Sequence, residues 1–304
     1  MTAPVIVLYH HIAATHTDFE VGIGVTSRPE SFDAHLEYFQ RNYDLISLSD
    51  LLDGPLPRRP LLLTFDDAYR SVLDVVRTCL APTGIPAVLF TNPELLAPAL
   101  PGFDNVLSWY EARHGLPALC ELIGSRRQTS LGVLLRGPLA CMGASAREAL
   151  RQRLMQEGGM DAAAITVRSP VLAPEDLRTL TRLGVEIGNH TATHVHCRAL
   201  DAAEQYTELV ASRQRLEEIC GQPVRAFSVP YGNADDLTPV VQSALRDSGH
   251  RAIFLVHARS NRFRPSPDVW YRVSLHDEPV SRLDRELGLK PLLRSLRALI
   301  GRRL

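Results

Sequence analysis

The chain is short of most features that would mark a specialised surface or compartment. Its formal net charge is −1, with 33 basic residues against 34 acidic ones. It therefore lacks the basic excess of a nucleic-acid-binding surface. Cysteine is sparse: Cys79, Cys120, Cys141, Cys197 and Cys220 are scattered, odd in number and without a Cys-x-x-Cys pair. That pattern argues against a disulfide framework and suits a reducing compartment. No apolar stretch approaches the roughly 20 residues of a membrane span. The opening "MTAPVIVLYHHI" has no basic leader region and reads as a first strand, not a signal peptide. The expected location is cytoplasmic. There is no internal repeat and no low-complexity tract. What remains is the composition of an ordinary globular protein, 45% hydrophobic and 22% charged.

Strand-like apolar runs alternate with amphipathic segments. The runs are "PVIVLY" (4–9), "PLLLTF" (60–65), "PAVLFT" (86–91), "GVEIGN" (184–189), "RAFSV" (225–229) and "RAIFLV" (251–256). Helices are predicted between them, with readable ends. Pro29 stands early in "RPESFDAHLEYFQRNY" and Pro174 early in "APEDLRTLTRLG". Asp201 and Glu204 form a capping-box-like pair ahead of a helix that Gly221 stops, and Gly249 closes "TPVVQSALRDSG". The alternation predicts an α/β fold with a mainly parallel sheet or a barrel, one domain over 1–304. Residues 95–170 break the rhythm with helix-like pieces and no strand, and read as a helical insertion. It is either a packing accessory or a cap over a substrate pocket.

The chemistry gathers where the apolar runs end. "LLLTF" runs into Asp66 and Asp67, "GVEIGN" into "HTATH", "RAFSV" into "PYG", and "VIVLY" into His10 and His11. Barrel and open α/β enzymes build their sites on this face. Two adjacent carboxylates at the tip of a buried strand repel each other, and desolvation adds to the cost. A cation would relieve both. His190 and His194 lie four apart, so a helical turn after Asn189 would put both imidazoles on one face. With one carboxylate they make a 2-His-1-carboxylate set that leaves positions open on a divalent metal. The second aspartate is then free to take a proton from water. His257 and His276 follow later apolar runs and could point the same way, whereas His196 reads as a bystander. The backbone N–H of Tyr231, in a Pro-Gly turn, could serve an oxyanion.

"TFDDAYRS", "EIGNHTATH" and "FSVPYG", in that order, resemble the leading motifs of the polysaccharide deacetylase family, the NodB-homology or carbohydrate esterase 4 group. The flanks "VLYHHI", "ESFDAHLEYFQRNYDLISLSDLL" and "ELVASRQRLEEICGQPVRAFSVPYG" agree, so the resemblance covers 1–95 and 170–275. It implies a distorted (β/α) barrel that removes N-acetyl groups from amino sugars with one divalent metal. Zinc is expected, although cobalt, nickel, manganese or iron suit the same donors. Carried over by motif, Asp67, His190 and His194 would hold the metal, Asp66 would be the general base, and Tyr231 would help hold the oxyanion. The "YH" context matches the branch of poly-N-acetylglucosamine deacetylases, whose general acid is N-terminal. That places the acid at His10, with His257 as the alternative.

Three departures qualify the resemblance. Ala68 stands where the family usually has glycine, which suggests that the position does not need positive φ. Ser228 stands where many members have an arginine that orients the base; Arg272 is the candidate substitute, and it and Pro230 are also candidates for substrate binding. The secretion signal of enzymes that trim cell-wall glycan is missing, so the expected substrate is an intracellular saccharide, nucleotide-linked or lipid-linked. Two other readings stay open: a deformylase or deacetylase of a non-sugar amide, and an inactive glycan-binding module on the same scaffold. The segment 288–304 places Leu292, Leu293, Leu296, Leu299 and Ile300 on one helix face, bordered by Lys290, Arg294, Arg297, Arg302 and Arg303. Packing on the barrel is the expected fate of that face, and contact with anionic lipid is the alternative.

Overall fold

The computed structural model describes residues 3–97, 101–161 and 170–300. Eleven strand segments appear among them: β1 (Val5–Tyr9), β2 (His11–Ile12), β3 (Thr26–Ser27), β4 (Asp44–Ile46), β5 (Pro60–Phe65), β6 (Ala87–Thr91), β7 (Val185–Asn189), β8 (Ala226–Ser228), β9 (Ala252–Leu255), β10 (Val269–Tyr271) and β11 (Val273–Ser274). The main sheet runs in the order β10-β9-β8-β7-β6-β5-β1-β11 and every pairing in it is parallel. The fold is thus a nearly closed eight-stranded parallel barrel of the NodB type. All six apolar runs became strands, each within a residue or two of its expected ends. They are buried on both faces, as strands of a helix-covered parallel sheet must be.

The closing element was not legible. β10 and β11 are consecutive pieces of "VWYRVS", broken only at Arg272. The first piece pairs with β9 (Tyr271 against Leu255) and the second with β1 (Val273 against Val7). One short stretch therefore joins the two ends of the sheet, and Arg272, where it crosses over, turns its side chain into the barrel. A charged residue in mid-run had hidden the strand.

The barrel interior is filled by Ile6, Leu62, Val88, Phe90, Ala226, Ala252, Phe254 and Trp270. Outside it, helix Pro29–Asn42 buries Phe32, Leu36 and Phe39 against Val7, Tyr9 and Phe65. The capping box at Asp201 and Glu204 is present, and Gly221 ends the helical run in a left-handed conformation. Between β6 and β7 the chain forms helices Phe103–Leu122, Leu131–Arg136 and Ala144–Glu157. These bury their own cluster around Trp109, Leu131 and Leu154, joined by Phe19 from the β2–β3 connection. Residues 98–100 and 162–169 of the expected insertion lie outside the described residues.

The C-terminal helix, Lys290–Ile300, meets the barrel through Pro291 and Ser295 among its described side chains. Pro291 and Ser295 are buried, while Leu292, Leu293 and Leu296 are exposed. The side chains of Leu299 and Ile300, and residues 301–304 with Arg302 and Arg303, lie outside the described residues.

Gly188 on β7 sits opposite Phe90 on β6. A Cβ there would lie 2.3 Å from the Phe90 ring. Gly188→Ala should destabilise the fold by about 1–3 kcal/mol through overpacking. Urea denaturation would read this as a lower midpoint; an unchanged midpoint would mean the ring gives way freely.

Candidate active site

A cavity of about 270 Å³ opens at the carboxyl ends of the strands. His10 follows β1, Asp66 and Asp67 follow β5, His190 and His194 follow β7, and Tyr231 follows β8; all six line it. The four strand-end groups thus share one site.

Asp67 Oδ1 lies 3.4 Å from His190 Nε2 and 3.4 Å from His194 Nε2. Donors each about 2.0–2.2 Å from one ion in tetrahedral geometry would stand roughly 3.3–3.6 Å apart. Asp67 Oδ1 is also buried without a hydrogen-bond partner. The far nitrogens of both rings are engaged: His190 Nδ1 donates to the Ser228 carbonyl at 2.7 Å, and His194 Nδ1 to Asp104 at 2.9 Å. Those bonds set the tautomers and turn both Nε2 lone pairs inward. The three residues fit a divalent cation.

The two histidines do not meet on a helix, as their spacing had suggested. Residues 190–196 form an irregular loop, with Thr191 at φ +64° and His194 at φ +59°. The loop is held locally. Asn92 donates to the carbonyls of His190 and Thr191, Glu208 accepts from Thr193 at 2.9 and 2.7 Å, and the Thr191 hydroxyl accepts the His194 amide at 2.9 Å. The other non-glycine residues with positive φ among the described residues are Asp67, Ala68 and Tyr231. All five belong to the site or adjoin it, and each such conformation costs on the order of 1–2 kcal/mol.

Asp66 meets no such set. Arg272 grips it with two bonds, Nη1 to Oδ1 at 2.8 Å and Nη2 to Oδ2 at 2.7 Å. The Ser228 hydroxyl donates to Asp66 at 3.1 Å and accepts from Arg272 at 2.6 Å. Burial pushes the Asp66 carboxyl up, but the Arg272 charge, with His190 and His10 beside it, outweighs burial and leaves it below the usual range. Asp67 behaves alike, with His194 as the largest opposing influence. Both aspartates are held ionised, one by an arginine and one facing the cation site.

A family model described as polysaccharide deacetylase matches residues 53–253 of this chain. The chain belongs to the polysaccharide deacetylase family. Solved structures agree on the fold. The Streptococcus pyogenes deacetylase PplD in complex with acetate is similar over 94% of this chain and 99% of its own, at 13% identity and a TM-score of 0.63. A de-N-acetylase from Aggregatibacter actinomycetemcomitans is similar over 93% and 99%, at 15% identity and a TM-score of 0.60. IcaB from Ammonifex degensii is similar over 94% and 97%, at 16% identity and a TM-score of 0.58. No curated protein sequence matches the chain.

Against that family pattern, the departures now have structural accounts. Ser228 replaces an arginine, and Arg272 supplies the missing guanidinium from the barrel's closing stretch. Arg272 is fully buried behind Asp66 and does not line the cavity, so it orients the carboxylate and is not a substrate-binding residue. Pro230 is likewise buried away from the cavity surface, which Tyr231 and Gly232 form instead. Ala68 does adopt positive φ, +53°, contrary to the inference from its methyl group. The Ala68 carbonyl accepts from Leu172 at 2.9 Å and the Arg70 amide donates to Pro170 at 2.6 Å, which fixes the turn despite the strain.

Sequence reasoning missed a second layer. Asp104, in the first turn of helix Phe103–Leu122, accepts from His194 and also from the Tyr231 hydroxyl at 2.8 Å. Arg147 donates to the His194 carbonyl at 2.6 Å and to the Tyr231 hydroxyl at 2.5 Å. The segment between β6 and β7 is therefore wired to a candidate metal ligand, beyond lining the pocket with Phe103, Asn105, Leu135 and Arg136. His196 is no bystander: it stacks flat on Tyr231 at 3.9 Å between ring centroids and bonds Asp236 at 2.9 Å. Nothing in the local sequence marks Asp104, because an acid in a helix's first turn is ordinary.

His10 and His276 both line the cavity, whereas His257 does not. Burial pulls the His10 pKa down, against the raising influence of Asp67 and Asp66.

Asp104→Asn should weaken metal binding by about 10–100-fold, since it removes the carboxylate that orients His194. Asp66→Asn should leave that affinity close to native but lower the melting temperature, because Arg272 loses its buried counter-charge. Zinc titration against a chelator and thermal unfolding separate the two; equal metal affinity in native protein and Asp104→Asn would remove Asp104 from this role.

Proposed function

We propose that this family member is a metal-dependent N-deacetylase that hydrolyses the acetamide of an amino sugar. The observation that carries the reading is the division of labour between the adjacent aspartates. Asp67 faces two imidazole Nε2 atoms, while Asp66 stands 3.7 Å from His190 Nε2 and is clamped by Arg272. A binding module has no use for a carboxylate held ionised beside a cation site.

A divalent ion held by Asp67, His190 and His194 would supply Lewis acidity and a water acidified toward neutral pH. Asp66 takes the proton of the attacking water, with Arg272 and Ser228 holding its carboxylate in place. The backbone N–H of Tyr231 would donate to the oxygen that gains charge as the acetamide carbon becomes tetrahedral. His10 delivers a proton to the departing nitrogen, since an amide anion is too poor a leaving group to go without one. The C–N bond breaks, and acetate and a free amine leave. The cavity's volume suits one acylated sugar unit, with Phe103, Leu135, Val171 and Ile23 forming apolar walls for the methyl group and ring face. A nucleotide- or lipid-linked saccharide is the substrate class proposed.

Acetate release from a panel of N-acetylated amino sugars, with and without chelator, tests the reaction. Metal-dependent release is expected on at least one sugar. Release from formylated or non-sugar amides alone would redirect the specificity, and a metal-free, fully active enzyme would sink the mechanism.

The acid assignment has its own test. His10→Ala should abolish or flatten the alkaline limb of the pH–rate profile with metal retained, while His257→Ala should leave it in place. His276→Ala, also at the cavity, should keep the limb; its loss there instead would transfer the role to His276.

A further inference from the structure

The C-terminal helix presents two faces of opposite character. Leu283, Leu287, Pro291 and Ser295 recur every four residues and are buried. The Ser260 amide donates to Ser295 Oγ at 3.0 Å and to the Pro291 carbonyl at 3.3 Å, which fastens this face to the loop after β9. At about 100° per residue, Leu289, Leu292, Leu293 and Leu296 fall on the opposite side. Their exposures are 54%, 36%, 43% and 41%. They make up four of the ten large hydrophobic side chains exposed among the described residues, gathered on one helix.

Charge surrounds this patch. Between 285 and 303 the sequence has six basic residues and one acidic residue, Glu286, although the whole chain is nearly neutral. Glu286 pairs with Lys290, while Arg285, Arg294 and Arg297 form no ion pair among the described residues. A cleft of about 440 Å³ between this helix and the barrel adds Arg259 and Arg262 beside Leu289 and Leu292. Exposed leucines rimmed by unpaired arginines match a surface that is apolar below and anionic above. A bilayer carrying acidic headgroups has that layering.

We propose that this helix is a docking surface for an anionic lipid membrane, lying in the interface with its leucines in the acyl boundary and its arginines at the headgroups. No helix among the described residues is long and apolar enough to cross a membrane, so the contact is peripheral. The part of its strength that comes from charge should fade with salt.

The test is flotation of the full chain with phosphatidylcholine vesicles, with and without phosphatidylglycerol. Binding to the anionic vesicles only, lost at high salt, is expected. Arg294→Glu combined with Arg297→Glu should weaken it about ten-fold or more, and so should replacing Leu292, Leu293 and Leu296 together by Gln. Melting temperatures confirm that each variant folds, and the arginine pair decides the matter if the leucine variant does not. Absent binding, or binding indifferent to lipid charge, overturns the proposal. So does a native dimer that the leucine replacements convert to monomer, since the patch would then be an interface between two copies.

Discussion

A carboxylate sealed in a protein interior needs a positive partner, and for Asp66 that partner is Arg272. Two direct hydrogen bonds join them, and Ser228 bridges the same two groups. Separating such a pair by removing one member typically costs about 3–5 kcal/mol, because the remaining charge is stranded. Much of the site is arranged around this contact. It lets Asp66 stay ionised without leaning on the cation site, and that leaves Asp67 and the two imidazoles as an independent donor set. The repulsion between adjacent aspartates is resolved by giving each its own source of positive charge.

The same economy recurs one layer out. Ser228 uses its hydroxyl to link Asp66 with Arg272 and its carbonyl to fix the ring of His190. Asp104 fixes the ring of His194 and the hydroxyl of Tyr231, and Arg147 ties both to its own helix. The helices between β6 and β7 thus stabilise the geometry of the donor set, so shortening them would disturb the metal site as well as the pocket.

How much of this was legible depended on the kind of signal. The six apolar runs announced their strands, since burial on both faces leaves nothing but hydrophobic residues to see. Asp66, Asp67 and His190 were legible because they stand at the tips of such runs, and His194 because it follows His190 by four. The closing stretch was not, because Arg272 interrupts it for a reason 206 positions away. The loop carrying the histidines was misread as helical, since spacing alone cannot reveal left-handed turns at Thr191 and His194. Ala68 misled for a related reason: a methyl group discourages positive φ but does not forbid it when neighbouring hydrogen bonds hold the chain. Asp104 lay beyond reach, because its importance comes entirely from tertiary contact.

The position of Arg272 also ties the environment of Asp66 to closure of the barrel. Every residue proposed to hold the ion lies within the first 194 positions, and Tyr231 follows soon after. A nascent chain released to 260 residues would carry the whole donor set, yet Asp66 would face a half-open barrel with no guanidinium behind it. Only when the stretch around Arg272 stitches β9 to β1 does that carboxylate gain its counter-charge. The buried partner of Asp66 thus arrives on the same stretch that closes the barrel, and a chain cut short of it would leave that carboxylate unpaired.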